Sequence, residues 1–328
     1  METSDLYYSN SPHIKAKRTT RRIMQDVCIA LAPAAIMGIV FYGLPAFLML
    51  ALSAFSAVAS EFIYLFITGK TFKQIARQFD FSSLVTGLLL GLTLGVNYPL
   101  YSVAFGSAFA VIVVKMLFGG TGKNVVNPAI VGRVFIVISF QWAVGVWTYP
   151  LIGSVFGVNA ETSATATVLL GNSDLASMPH ILDLFLGTGL QGCIGETCKP
   201  ALILGGVYLA ARKVINIGYP AIYIAVTGLL TVAIKGFNFS YFLPSILSGG
   251  LFLGAIFMAT DYVTTPNTTL GNIIYFFFLG ALTAILREAT QMEVVSFAIL
   301  LMNLTVPLID KFILNTPFGS IKKGGKTK

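Results

Sequence analysis

Phe79-Asp80-Phe81-Ser82, leading into an apolar segment that contains Gly87-Leu88-Leu89-Leu90-Gly91, carries the architecture of this chain because its pattern returns. Phe237-Asn238-Phe239-Ser240 precedes a second apolar segment containing Gly250-Leu251-Phe252-Leu253-Gly254, close to half a chain later. Counted along the chain these are the third and eighth apolar segments, so they cross a bilayer in opposite directions. That is the expectation for an inverted-topology repeat of five plus five, with the functional site where the halves meet and lined by broken helices. Chance recurrence is the plain alternative, because Gly and Leu are common in membrane helices.

Around this pair the chain reads as about ten membrane segments, each span needing ~20 apolar residues. They fall near 23–43, 46–68, 82–97, 100–118, 129–148, 198–211, 217–234, 240–258, 271–286 and 293–313. The apolar stretch 180–196, with Gly187, Gly189, Gly192 and Gly195, reads as a re-entrant half-helix. Of 328 residues 56% are hydrophobic and only 10% charged, too few charges to cover a soluble domain. The net charge of +8 sits in short clusters between apolar runs rather than on a basic face, which excludes nucleic-acid binding. The fold class is therefore an all-α polytopic membrane protein.

The basic clusters set the orientation by the positive-inside rule. Lys15, Lys17, Arg18, Arg21 and Arg22 precede the first span; Lys70, Lys73 and Arg77 follow the second; Lys115, Lys123 and Arg133 fall between the fourth and fifth; Arg212 and Lys213 follow the sixth; Lys322, Lys323, Lys326 and Lys328 form the tail. All land on one side, taken as cytoplasmic, and only Lys199, Lys235 and Arg287 fall on the other. The chain divides into a cytoplasmic N-terminal segment (1–22), a first membrane repeat (23–148), an outer-side loop (149–179), a second repeat (180–313) and a cytoplasmic basic tail (314–328). Three cysteines without a CxxC pattern, and two histidines, argue against a zinc site, a cysteine-held iron–sulfur cluster or a disulfide framework. No metal site and no catalytic residue array is expected.

Four segments carry candidate chemistry. In Gly119-Gly120-Thr121-Gly122-Lys123-Asn124-Val125-Val126-Asn127-Pro128, Pro128 suits a first helical turn whose free N–H groups would face an anion or a polar ring. A phosphate-binding loop fails here, since Asn124 follows Lys123 and no strand precedes it; a topogenic loop with a helix cap is the bland reading. In Gly195-Glu196-Thr197-Cys198-Lys199, Glu196 at the edge of an apolar span is costly unless paired or functional, and Lys199 at helical spacing is its structural partner. In Thr260-Asp261-Tyr262-Val263-Thr264-Thr265, Asp261 and the threonines offer oxygens to a cation or hydrogen bonds to a polar ring, against a simple capped turn. Asn159-Ala160-Glu161-Thr162-Ser163-Ala164-Thr165-Ala166-Thr167 holds no base for a threonine nucleophile, but its small side chains admit an external enzyme to one hydroxyl.

Together these segments resemble the RnfD family, the D subunits of the Rnf electron-transport complex, related to the B subunits of the sodium-pumping NADH:quinone oxidoreductase. The resemblance starts at Ser11-Pro12-His13-Ile14, runs through Ile23-Met24-Gln25-Asp26-Val27 and Ala30-Leu31-Ala32-Pro33, and passes Asn127-Pro128-Ala129, Gly195-Glu196-Thr197 and Thr260-Asp261. It implies FMN joined through its phosphate to a threonine of the outer loop, in the pattern Asp-x-x-Ser/Thr-x-Ala-Thr. Thr162, Ala164 and Thr165 match, with Asn159 where the pattern has aspartate. Thr165 is the expected attachment point; a second register uses Glu161, Ala166 and Thr167. The resemblance also implies a second, noncovalent flavin (riboflavin or FMN), for which Asn124, Asn127 and Arg133 are the candidate contacts. Sister subunits of an Rnf complex, a flavin transferase and the lipid bilayer are the implied partners, and a bacterial inner membrane with both termini cytoplasmic is the implied location. Electrons would pass between ferredoxin- and NAD-handling subunits, coupled to Na⁺ or H⁺ movement with Glu196, Asp261 and Thr264 as ion-path candidates. The competing function is a stand-alone channel or secondary transporter with a urea-channel-like inverted repeat, which accounts for the spans but not for the outer threonines.

Overall fold

A computed structural model describes residues 18–141, 166–173, 178–188, 191–290 and 293–314. Every regular element among the described residues is a helix. Helix α1 (Thr20–Ile67) starts where the Thr19 hydroxyl accepts from Arg22 N–H, and it breaks at Gly43 (φ 66°, ψ −148°), two residues before Pro45. Ile23, near its start, shares a cavity with Lys115, and Lys115 in turn bonds Glu61, near its end. The chain therefore doubles back at the break, so α1 holds the two segments predicted at 23–43 and 46–68.

Beyond α1 come α2 (Phe72–Gln78), α3 (Ser82–Leu92) and α4 (Leu100–Phe109), which continues as a π-helix over Ala110–Met116. Next are α5 (Pro128–Ser139), capped by Asn127, and the short α6 (Ala166–Gly171) and α7 (Ile181–Leu186). The second half contains α8 (Lys199–Ala211), α9 (Gly218–Ile234), α10 (Phe242–Leu247), α11 (Leu251–Leu253) running into a π-helix over Gly254–Met258, α12 (Thr269–Thr290) and α13 (Val295–Phe312).

Helices α1, α12 and α13 are long and apolar enough to cross a bilayer. The pair Phe239–Leu247 and Leu251–Met258, bent by 66° at a short break, is a fourth span if taken as one. Phe55, Phe66 and Phe105 are among the exposed large apolar residues. This is an all-α membrane protein. Its helices approach through small residues, as membrane packing without a hydrophobic driving force requires. A Cβ on Gly87 would stand 2.7 Å from Ser53 O, and one on Gly205 would collide with Ala30 O.

The repeated motif forms the same local turn twice. Asp80 Oδ1 accepts from Ser82 N–H at 3.0 Å, and Asn238 Oδ1 accepts from Ser240 N–H at 3.0 Å. Each following helix then stops early. Helix α3 ends at Leu92 rather than near 97, and the α10–α11 pair is interrupted at Ser248–Gly250. The half-helix expected over 180–196 is replaced by six residues of α7, ended by Gly187 (φ 88°), and an irregular buried segment over Gln191–Cys198. Its backbone finds partners in the break after α3: Ile194 N–H donates to Leu94 O at 3.0 Å and Gly195 N–H to Leu92 O at 2.8 Å. Irregular backbone at membrane depth survives only when it is satisfied inside the protein in this way.

Candidate functional site

Two cavities open on these breaks. The larger holds about 480 Å³. It is bounded by Arg133 and Val137 of α5, the irregular segment Gln191–Thr197, Lys199 at the start of α8, the break Leu247–Gly249, the α12–α13 connection with Glu293, and Ala166, Thr167 and Val168 of α6. Its walls are mostly apolar, but its ionisable groups gather at the breaks. Arg133 Nη1 donates to Ser296 Oγ at 3.0 Å and Nη2 to Cys193 Sγ at 3.7 Å. Glu196 Oε1 lies 4.0 Å from Arg133 Nη2, an ion pair too long for a hydrogen bond. Arg287 donates to Ser245 O at 2.9 Å and Ser248 O at 3.1 Å, satisfying carbonyls that the end of α10 leaves free, and stands 3.9 Å from Glu293.

That polar set is incompletely satisfied. Among the described residues, Glu196 Oε1, Arg287 Nε and Glu293 Oε1 are buried with no hydrogen-bond partner. Lys199 is 2% exposed, and its ammonium makes no hydrogen bond or ion pair among the described residues. Buried polar groups are ordinarily paired, so three unpartnered atoms in and beside one cavity mark a polar site left open among the described residues.

The smaller cavity holds about 90 Å³, between Ile23, Ser82, Lys115, Asn124, Asn127 and Asp261. Lys115, on the first π-helix, donates to Ser82 Oγ at 2.6 Å, Ser83 Oγ at 2.9 Å and Glu61 Oε1 at 3.2 Å, which uses all three of its donors. Ser83 donates to the other Glu61 oxygen. Asn127 bridges the halves: its Oδ1 accepts from Ala129 N–H at 3.0 Å and its Nδ2 donates to Met258 O at 3.1 Å. Asn124 Nδ2 donates to Val126 O at 3.0 Å. Burial holds the Asp261 carboxyl above the usual carboxylate range, against the Val263 N–H and the Thr264 hydroxyl, which donates to it at 3.3 Å.

The predicted residues are thus sorted in two. Arg133 and Glu196 meet at the larger cavity, while Asn124, Asn127 and Asp261, with Thr264 behind it, gather at the smaller one. Glu196 faces Arg133 rather than Lys199. Thr165 lies outside the described residues. Thr167 is described: it rims the larger cavity, and its hydroxyl donates to Glu293 Oε2 at 3.5 Å. Four largely buried charges escaped the motif reading, namely Glu61, Lys115, Arg287 and Glu293. A carboxylate inside the apolar run 46–68 and an ammonium inside 100–118 were the available signals, since intramembrane ionisable residues are functional candidates by default.

Fold and cavities define a helical membrane protein whose broken helices enclose charged, partly unsatisfied sites. The chain belongs to the NQR2, RnfD, RnfE family, which matches residues 7–319. It is similar to the D subunit of the Na⁺-translocating ferredoxin:NAD⁺ oxidoreductase complex of Acetobacterium woodii, at 41% identity over 99% of this chain and 100% of that protein. It is 38% identical to the D subunit of the proton-translocating ferredoxin:NAD⁺ oxidoreductase complex of Clostridium ljungdahlii (95% and 96% covered). It is 34% identical to the D subunit of the ion-translocating oxidoreductase complex of Stutzerimonas stutzeri (92% and 93% covered).

Proposed function

We propose that this chain is the flavin-carrying D subunit, embedded in the membrane, of an Rnf-type, ion-translocating ferredoxin:NAD⁺ oxidoreductase, with FMN esterified to Thr165. The observation that carries the proposal is the larger cavity, with Thr167 on its rim, apolar walls and unpartnered polar atoms. About 480 Å³ lies within the ordinary range of small-molecule sites, ~300–1,000 Å³. Apolar walls suit a flat aromatic ring, and donors and acceptors at one end suit its polar edge. The bound flavin would supply the electron chemistry; the chain's own part is to hold, orient and tune the ring and to exclude water. Arg133 and Arg287 are fixed by their own hydrogen bonds, so neither is free to swing and both supply a preset field.

The ten-span path with two inverted halves agrees with the way the cavities sort residues. Groups expected on the outer side (Tyr98, Thr167, Lys199, Thr290) border the larger cavity, and groups expected on the inner side (Ile23, Lys115, Asn124, Asp261) border the smaller, with Arg133, expected on the inner side but lining the larger cavity, as the exception. Both termini are then cytoplasmic, in a bacterial cell membrane. A noncovalent second flavin at Asn124 and Asn127 finds only about 90 Å³ within this chain, so its ring would be shared with a sister subunit. Glu196 near one end, and Asp261 with Thr264 at the other, are the ion-route groups. The Acetobacterium and Clostridium relatives carry different ions in their names, so family membership leaves Na⁺ and H⁺ equally open. It favours a complex subunit, with sister subunits and a flavin transferase as partners, over a stand-alone channel.

The test is the complex purified from cells that contain a flavin transferase. A fluorescent band at this chain's mass on a denaturing gel under ultraviolet light, and an FMN-sized mass on the peptide spanning 149–179, are expected. A colourless band would overturn the proposal.

A further inference from the structure

Lys199 is the most anomalous charge in the molecule. It is buried at the first position of α8, a helix of 13 residues whose N-cap, Cys198, makes no side-chain capping bond. A helix N-terminus carries partial positive charge and free N–H groups, so it is the wrong end for a cation and a favourable end for an anion. Lys199 adds a full positive charge there at the wall of the larger cavity, opposed by Glu196 and Glu293 but held by no hydrogen bond or ion pair among the described residues. The cavity's guanidinium groups do not explain it, since Arg133 and Arg287 already face Glu196 and Glu293. Among the described residues in and beside the cavity, three cations face two carboxylates, an excess of one positive charge. Glu196 Oε1, three residues before Lys199, has no hydrogen bond to accept.

From this juxtaposition we infer that Lys199 and Glu196 are the positioning residues for the polar edge of a flavin ring: the ammonium donates to the C2 carbonyl beside N1, and Glu196 Oε1 accepts the N3–H. That edge presents acceptor, donor and acceptor in sequence, and the two unpartnered groups supply the complementary donor and acceptor. The N1–C2=O region gathers negative charge when the ring is reduced, so a buried ammonium backed by a helix N-terminus favours the reduced ring over the oxidised one. The inference rests on the reading that the FMN ring of the outer loop enters this cavity.

The experiment uses the assembled complex with its covalent flavin. Gel fluorescence first reports attachment; a spectroelectrochemical titration of this flavin then reports its midpoint potential. Lys199→Met should lower the ratio of reduced to oxidised flavin about tenfold at a given potential, which is about 30 mV for a two-electron couple. Lys199→Arg should restore most of that shift. Lys199→Gln, which keeps a donor but loses the charge, should behave like the methionine variant and serves if that one does not assemble. An unchanged potential at full flavin loading overturns the inference. So does reduced loading with an unchanged potential, the signature of a lysine that only holds the FMN phosphate. Absence of fluorescence in the unaltered chain is a separate result: the attachment reading fails first, and the role of Lys199 falls with it.

Discussion

Gly250 and Glu196 stand so close that no side chain fits between them: a Cβ on Gly250 would lie 2.6 Å from Glu196 Oε1. Its neighbour Gly249 has φ 61° and would drive a Cβ into the Glu293 carboxylate. The break in the α10–α11 span and the two carboxylates beside it are therefore one arrangement. Gly250→Ala should displace Glu196 and cost about 1–3 kcal/mol as overpacking. Gly249→Ala should cost more, because a left-handed backbone adds roughly 1–2 kcal/mol for a residue with a Cβ. Thermal unfolding in detergent checks the order; a milder effect at Gly249 would contradict it.

Lys115 and Glu61 form a buried ion pair with both side chains nearly inaccessible. Lys115→Met should cost about 3–5 kcal/mol, because it strands a carboxylate inside the protein. Adding Glu61→Gln should recover most of that loss, since the removal of both charges lifts the desolvation penalty. Unfolding of the single and double variants reports the coupling; an additive double variant would show that the pair does not act as one.

The proposed flavin attachment has two candidate threonines. Thr165→Val should abolish the fluorescent band while leaving the chain inserted, and Thr167→Val should leave the band in place. The Thr167 hydroxyl is already engaged with Glu293, at 3.5 Å. The reverse pattern would move the attachment two residues.

Asp261 gives a pH signature. Its carboxyl titrates above the usual range because burial disfavours the charge. The folded state therefore holds the proton more tightly than the unfolded state, and the penalty is absent below the unfolded pKa, grows through the window up to the folded pKa, and is constant above it. Asp261→Asn should raise the unfolding temperature at neutral pH and change it little in acid, while slowing ion-coupled turnover. Equal effects at both pH values would show that Asp261 carries no burial penalty.

Much of the helical layout was legible in the sequence because apolar runs and their Gly and Pro breaks are local. Segments 198–211 and 217–234 match α8 and α9 almost residue for residue. The Asp80 and Asn238 turns were also visible, as a motif repeated across half the chain. What the sequence withheld was pairing across distance. Lys115 reads as one more inner-side charge until Glu61, 54 residues away, is seen beside it. Helical spacing ties Glu196 to Lys199, but the chain unwinds there and Arg133 takes the position instead. Asn127 caps the helix that carries Arg133, yet the rise of about 1.5 Å per residue carries them toward different cavities.

Leu92 and Leu94 accept hydrogen bonds from Gly195 and Ile194, so two interruptions from opposite halves are stitched together at the main chain. Displacing one interruption against the other would sever bonds that lipid cannot replace. These two bonds join the interruptions into one frame. A disulfide engineered between positions 94 and 194 that left turnover intact would be the mark of such a frame, and one that stopped it would refute the description.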